Sequence, residues 1–261
     1  MPAPLAAAVA ATRSRAATPP PAPCPSRSAA TGLWTGCRWT SAGPCGVSSS
    51  ATVIAVDGTF ARVTLAAAPD RRVLFFGDSF VAGVGDPAGL GWVGRVVAAS
   101  YAQGVPLTAY GLGIRGQRSD QIKARWRAEA QSRVDDSCDC RVVLSFGAND
   151  SGAAMIAPER SVQTLATMLD EASALGLRAF VVGPAPVGAA QRHERVAALS
   201  NAFEAAAAAR DVPFVGVIAA LRASRRWTDE AAAGDGTHPA AGGYEDLAEL
   251  VLAGGFVDWL R

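Results

Sequence analysis

The sequence predicts an α/β domain built on a parallel sheet with helices packed against both of its faces. Three observations lead there: from residue 73 onward short continuous apolar runs alternate with long amphipathic segments, glycine or proline punctuates the changes, and the lengths suit strands and crossover helices. Residues 73–76, Val-Leu-Phe-Phe closed by Gly77, form the first run, as expected of a strand buried on both faces. A helix follows at about 92–102. Residues 107–110 read as the second strand and 119–134 as the second helix, with Ser119 or Asp120 as its cap. The third strand is 142–146. The next helix, about 158–175, has Pro158 in its first turn and stops at Gly176. Residues 178–182 are the fourth strand, about 189–210 the longest helix, and 212–217 a fifth strand leading into a short helix that ends at Arg225. A last helix, 243 to about 252, closes the pattern.

Composition bounds what such a domain can do. The 261 residues suit one domain of moderate size plus something extra, and 50% apolar content supplies a core. With 24 basic against 23 acidic residues, the chain offers no electrostatic footprint for nucleic acid or an anionic membrane. Both are discounted as partners. No run reaches the roughly 18 apolar residues of a membrane span. Lys123 is the lone lysine among many arginines, and alanine and glycine abound, which reflects GC-rich coding rather than function.

The chain divides near residue 70 into a low-complexity leader, 1–70, and a folded domain, 71–261. Residues 1–56 contain no acid and are dominated by Ala, Pro, Ser, Thr, Gly and Arg, including Pro19-Pro20-Pro21, a disorder-prone composition. Residues 5–11 hint at a signal peptide without the preceding basic residue or the apolar strength of one. A transit peptide fits as well, and so does a mis-set start codon ahead of a protein that begins near Val73, which is the favoured expectation. The expected location is the cytoplasm, with secretion or targeting through the leader left open. Within the leader, residues 51–65 alternate around Asp57-Gly58, a hairpin signal. Cys24, Cys37 and Cys45 also lie there, leaving Cys138 and Cys140 in the domain. An odd total without regular spacing is not a disulfide framework. The Cys-x-Cys pair stands among Asp135, Asp136 and Asp139 with no histidine nearby and reads as a loop with unimportant thiols.

Four segments carry chemistry: Gly77-Asp78-Ser79, Gly116, Gly147-Ala148-Asn149-Asp150 and Asp235-Gly236-Thr237-His238. Ser79 follows the first strand, Gly116 the second and Asn149 the third, while Asp235 and His238 precede the last helix. Ligands of open parallel sheets sit outside the carboxyl ends of the strands, so these segments converge on one edge. They resemble the conserved blocks of the SGNH, or GDSL-type, hydrolases over residues 73–259. The resemblance implies a three-layer α/β/α sandwich of flavodoxin-like type, here with about five strands, and Ser79, Gly116, Asn149 and His238 as the residues that give the family its name. Phe80 stands where leucine is usual, at a packing position. Gly111 replaces a common asparagine before the Leu-Gly-Ile-Arg-Gly turn, which bears on loop support rather than on a catalytic group.

The chemistry of the residues leads to the same roles. A serine hydroxyl is a feeble nucleophile until a neutral imidazole takes its proton, and His238 is the candidate base. The other histidine, His193, lies in a helix among Arg192, Glu194 and Arg195 and reads as a solvated surface residue. Asp235 precedes His238 by three positions across Gly236, a spacing at which a turn brings both side chains together and the carboxylate sets the tautomer. Pro239 biases His238 toward extended backbone and keeps it out of the following helix. The backbone amides of Ser79 and Gly116 and the side-chain amide of Asn149 are the expected oxyanion donors. Asp78 is expected to position its loop and Asp150 to be structural.

The expectation is therefore a serine esterase that acts through Ser79, His238 and Asp235 on a small-molecule ester, with no metal or organic cofactor. Two rivals stand beside it. Residues 111–116, Gly-Leu-Gly-Ile-Arg-Gly, match a dinucleotide fingerprint, but the acidic residue expected about 20 positions on is missing. A catalytically silent binding module on the same fold is the second. Val81 occupies the last position of what would be a Gly-x-Ser-x-Gly elbow, which disfavours an α/β-hydrolase. Short connections point to small or soluble esters at an open site, with 151–157 as a segment able to move over substrate. Acyl length, leaving group and oligomeric state are not fixed by these residues. N-terminal sequencing of the native protein is expected to start near Val73, and a first residue within the leading twenty overturns that start.

Overall fold

The structure, a computed structural model, describes residues 51–56, 59–64, 69–152, 155–188 and 190–261. Of the leader expected to be disordered over 1–70, residues 1–50 and 65–68 lie outside the described residues, as does the hairpin turn at Asp57-Gly58. Ala51–Val56 (β1) and Thr59–Thr64 (β2) pair antiparallel, with Val56 opposite Thr59.

Beyond the hairpin, five strands form one parallel sheet: Arg71–Gly77 (β3), Thr108–Gly113 (β4), Asp139–Ser145 (β5), Arg178–Val182 (β6) and Phe214–Val215 (β7). Their spatial order is β4-β3-β5-β6-β7, the flavodoxin-like order. The helices are Gly91–Ala102 (α1), Ser119–Gln131 (α2), Pro158–Ala174 (α3), Ala190–Ala208 (α4), Ile218–Ala223 (α5), Arg225–Ala233 (α6), Ala241–Ala253 (α7) and Phe256–Leu260 (α8). None of the described helices is long and apolar enough to cross a membrane.

The sheet divides the core in two because successive strand residues face opposite ways. Val73 and Phe75 join Trp92 and Val96 of α1 and the buried faces of α7 and α8, whereas Leu74 and Phe76 join Ile122 and Trp126 of α2, Met168 of α3 and Phe203 of α4. All four β3 residues are fully buried, each contributing roughly 1.5–3 kcal/mol of apolar burial. Phe75 meets Trp92 edge-on at 5.7 Å and Phe256 at 6.0 Å, tying α1 and α8 to the central strand. At the amino end of the sheet, Asp139 receives Arg71 at 3.0 Å and Arg141 at 2.6 Å. The buried Arg141 also donates to the Trp259 carbonyl and lies over that indole, so α8 is anchored at the end opposite the candidate site.

Several elements depart from expectation for identifiable reasons. The N-cap of α2 is Arg118, whose amide donates to Gln121 Oε1 at 3.0 Å; Ser119 is already helical and its amide donates to the buried Asp150 Oδ1 at 2.9 Å. The helix start is thus held twice, locally by Gln121 and from the loop after β5 by Asp150. Strand β7 is shorter than expected since only Phe214 and Val215 pair with β6. Helix α6 has no counterpart in the apolar pattern of the sequence: Ser224 caps it by accepting the Trp227 amide at 3.1 Å, and Trp227 is its buried anchor. Cys138 and Cys140, expected as unimportant thiols, are joined as a disulfide.

Phe75→Ala is expected to cost about 3–5 kcal/mol, because it empties a space shared by β3, α1 and α8. A denaturant titration reads this as a lower midpoint with little change in slope.

Candidate active site

The loops after β3, β4 and β5 and the turn before α7 meet at the carboxyl edge of the sheet. Strand β3 lies between β4 and β5, so connections leave it in opposite directions and open a crevice there. At its end the chain turns at once: the Ala82 amide donates to the Asp78 carbonyl at 3.1 Å and the Val84 amide to the Ser79 carbonyl at 3.1 Å. Such a turn fits only because the end of β4 carries no side chain. A Cβ on Gly113 would stand 2.6 Å from the Asp78 carbonyl oxygen and 2.8 Å from the Val81 carbonyl carbon.

Ser79 is placed there with its Oγ 2.7 Å from His238 Nε2, and His238 Nδ1 lies 2.7 Å from Asp235 Oδ2. Gly236 has φ +77°, which a glycine adopts without strain. That turn lets Asp235 Oδ1 accept the amides of Thr237 at 3.0 Å and His238 at 2.9 Å. Asp235 is held down at about 2 by the His238 amide first and its imidazole next. A carboxylate so stabilised keeps Nδ1 as the protonated ring nitrogen and leaves Nε2 to accept from the serine hydroxyl. The imidazole is buried, and Phe80 packs against it at 5.1 Å while stacking on Trp227 at 5.7 Å. The unusual aromatic after Ser79 therefore supports the ring. Gly85 closes the other contact, since a Cβ there would be 3.1 Å from His238 Cβ.

Ser79, Gly116 and Asn149 line the same small cleft, about 220 Å³ in volume. Among the described residues neither the Ser79 nor the Gly116 amide has a hydrogen-bond partner. Asn149 Nδ2 donates to the Gln117 carbonyl at 3.0 Å and has only a 3.4 Å contact with Asp78 Oδ2 for its other hydrogen. The two backbone amides are thus without partners beside the cleft, and the Asn149 carboxamide could give up only its long Asp78 contact. Gly116 has φ +78°, and the space a Cβ would enter is open, so backbone conformation rather than crowding explains the glycine.

Other residues in this region were not legible in the linear pattern. Arg125 donates to the Leu112 carbonyl at 2.7 Å, the Gly77 carbonyl at 3.2 Å and Gln117 Oε1 at 2.6 Å, bracing the ends of β3 and β4 and the segment carrying Gly116. Asp150 holds the start of α2 from the turn that bears Asn149. Arg115 meets Asp235 at 3.1 Å and lines the cleft, as does Arg192. Asp78 is buried and accepts the Phe80 amide at 3.0 Å. Burial pushes its carboxyl up to about 7; the Phe80 amide opposes the rise and the nearby Asp150 charge adds to it. His193, expected on a solvated surface, is half-buried against a second groove that includes Thr237. The glycines of the rival fingerprint, Gly111 and Gly113, lie inside β4 and so form no phosphate-binding loop.

The sequence from 75 to 245 matches the model of the GDSL-like lipase/acylhydrolase family. The chain belongs to that family. Among solved structures, this GDSL-like chain is similar to the lipase/acylhydrolase from Enterococcus faecalis, with 25% identity and a TM-score of 0.60, covering 71% of this chain and 95% of that one. It shares its fold with an acetylxylan esterase from Geobacillus stearothermophilus, at 20% identity and a TM-score of 0.60 over 74% of this chain and 98% of that one. An alpha/beta hydrolase enzyme from the metagenome of Lake Arreo, Spain, gives 20% identity, a TM-score of 0.60 and coverage of 74% and 98%. No curated protein sequence matches the chain. The GDSL-like assignment carries a five-stranded α/β architecture and ester hydrolysis as the general chemistry.

Asp78 has a consequence for stability. Its folded pKa of about 7 is raised above the ordinary carboxylate value, so the stability it allows is full below about pH 4 and is lost as pH rises through about 7. Asp78→Asn is expected to flatten that decline. Denaturant midpoints compared between pH 4 and pH 8 measure it, and an unchanged slope in the variant contradicts the buried neutral acid.

Proposed function

We propose that this GDSL-like protein is a serine esterase that hydrolyses small carboxylic esters through an acyl-enzyme. The observation that carries the reading is the continuous relay at one cleft: Asp235 to His238 at 2.7 Å, His238 to Ser79 at 2.7 Å, and unengaged amides beside the serine oxygen.

In this reading His238 Nε2 takes the Ser79 proton as Oγ attacks the ester carbonyl. Negative charge then develops on the carbonyl oxygen, where the amides of Ser79 and Gly116 and the Asn149 carboxamide receive it. Collapse breaks the ester bond, and His238 returns its proton to the departing alcohol. Water enters, loses a proton to the same imidazole and attacks the acyl carbon; a second collapse frees the acid and restores Ser79. Asp235 stays ionised throughout and balances the imidazolium. Apart from the ester and the water, every group in these steps belongs to the chain.

A cleft of about 220 Å³ is smaller than the roughly 300–1,000 Å³ of pockets that enclose drug-sized ligands. That size supports short acyl groups. It does not favour a long lipid chain enclosed in the cleft itself.

Ser79→Ala and His238→Ala are each expected to abolish hydrolysis of p-nitrophenyl acetate while leaving circular dichroism and thermal unfolding in place. Near-normal turnover in either variant overturns the assignment. Asn149→Ala is expected to lower kcat by roughly a hundredfold or more with a smaller change in KM. A fluorophosphonate is expected to label Ser79, which a silent binding module would not show.

A further inference from the structure

The charged groups around the cleft do not balance. Its lining holds two guanidinium groups, Arg115 and Arg192, against one carboxylate, Asp235. Asp235 is already committed to His238 and Arg115. Arg192 has no carboxylate partner among the described residues.

Arg192 is nonetheless held in one place. Its Nε donates to Ser151 Oγ at 3.0 Å and its Nη2 to the Ala148 carbonyl at 3.2 Å, while Ser151 Oγ itself donates to that carbonyl at 2.9 Å. Those two residues bracket Asn149, so the guanidinium rides on the same short turn as the oxyanion carboxamide. Its Nη1 has no hydrogen-bond partner among the described residues. A planar cation fixed by two bonds, with a donor left over, is suited to grip an anionic oxygen with little further ordering.

The field extends past the cleft. A second groove of about 430 Å³ meets it at Thr237 and is lined by Arg222 and His193, with no acidic side chain in its wall. Burial first, and then the charges of Arg222 and Arg192, hold the His193 imidazole below its usual value. Basic side chains therefore outnumber acidic ones along the approach to Ser79, although the whole chain is near neutral.

We propose that the cleft selects small esters bearing a fixed negative charge, a carboxylate or phosphate carried on the acyl or the leaving group, with Arg192 as the specificity-determining residue. The proposal rests on the esterase reading above and names its substrate class. A neutral ester leaves Nη1 of Arg192 without an anion, whereas an anionic one gains a charge-assisted hydrogen bond at the edge of the reacting carbonyl.

The test uses the full chain and two matched pairs of esters. One pair carries the charge on the acyl side, p-nitrophenyl hydrogen glutarate against p-nitrophenyl valerate. The other carries it on the leaving group, p-acetoxybenzoate against its methyl ester. In at least one pair the anionic member is expected to have a kcat/KM about tenfold higher, and which pair shows it places the anion. Such a preference corresponds to about 1.4 kcal/mol. It should shrink as salt is added. Arg192→Gln should bring the ratio toward one, chiefly through KM of the anionic ester, and Arg192→Lys should retain part of it. A merely structural arginine would lower both members together and leave the ratio alone.

Equal or reversed preference in both pairs overturns the inference while leaving the esterase reading intact, as does a ratio unmoved in Arg192→Gln. If that variant does not fold, the salt titration of the unaltered protein and the Arg115→Gln ratio decide in its place. Absence of turnover with all four esters, together with no fluorophosphonate labelling, removes the esterase reading and this inference with it.

Discussion

The hydrogen bond between His238 Nε2 and Ser79 Oγ joins residues 159 positions apart, and the fold is arranged so that its two ends stay in reach. Neither side chain is held by its own segment alone. Ser79 is aimed by the abrupt turn after β3, which in turn needs the bare backbone of Gly113 beneath it. His238 is aimed by the Asp235 turn and clamped between Phe80 and the glycine at position 85. A bond of this length tolerates little slack. Sub-ångström displacement of either loop would break it.

Rigidity at that edge comes from polar groups buried where the sheet's crossover helices begin. Asp150 holds the first amide of α2, Arg125 on the same helix ties back to β3 and β4, and Gln117 between them accepts from Asn149. These bonds connect the segments carrying Gly116 and Asn149 to one another rather than to solvent. Buried carboxyls carry a cost, and Asp78 meets it by taking up a proton at an unusually high pH. The site is thus steadied by groups that would be unfavourable anywhere else in the core.

Much of the architecture was legible in advance because its signals are local. Continuous apolar runs of strand length can be buried on both faces only in a covered parallel sheet, and the runs at β3, β5 and β6 said so directly. Pro158 and Gly176 marked the limits of α3 for reasons of backbone chemistry. Strand β7 and helix α6 were harder. Their limits depend on how many residues β6 can pair and on where Trp227 finds a core, neither of which is encoded nearby.

By itself the sequence determined which strands form, in what order Ser79, Gly116, Asn149 and His238 follow them, and that a glycine turn joins Asp235 to His238. Backbone preference and apolar periodicity act within a few residues, so a linear reading captures them. Tertiary structure alone decided that Asp150 would hold the start of a helix from the loop after β5, that Asp78 would sit where its charge is disfavoured, and that Arg192 would turn inward beside Asn149. Electrostatics and desolvation act through space between residues tens of positions apart, and such effects leave no periodic trace in the chain.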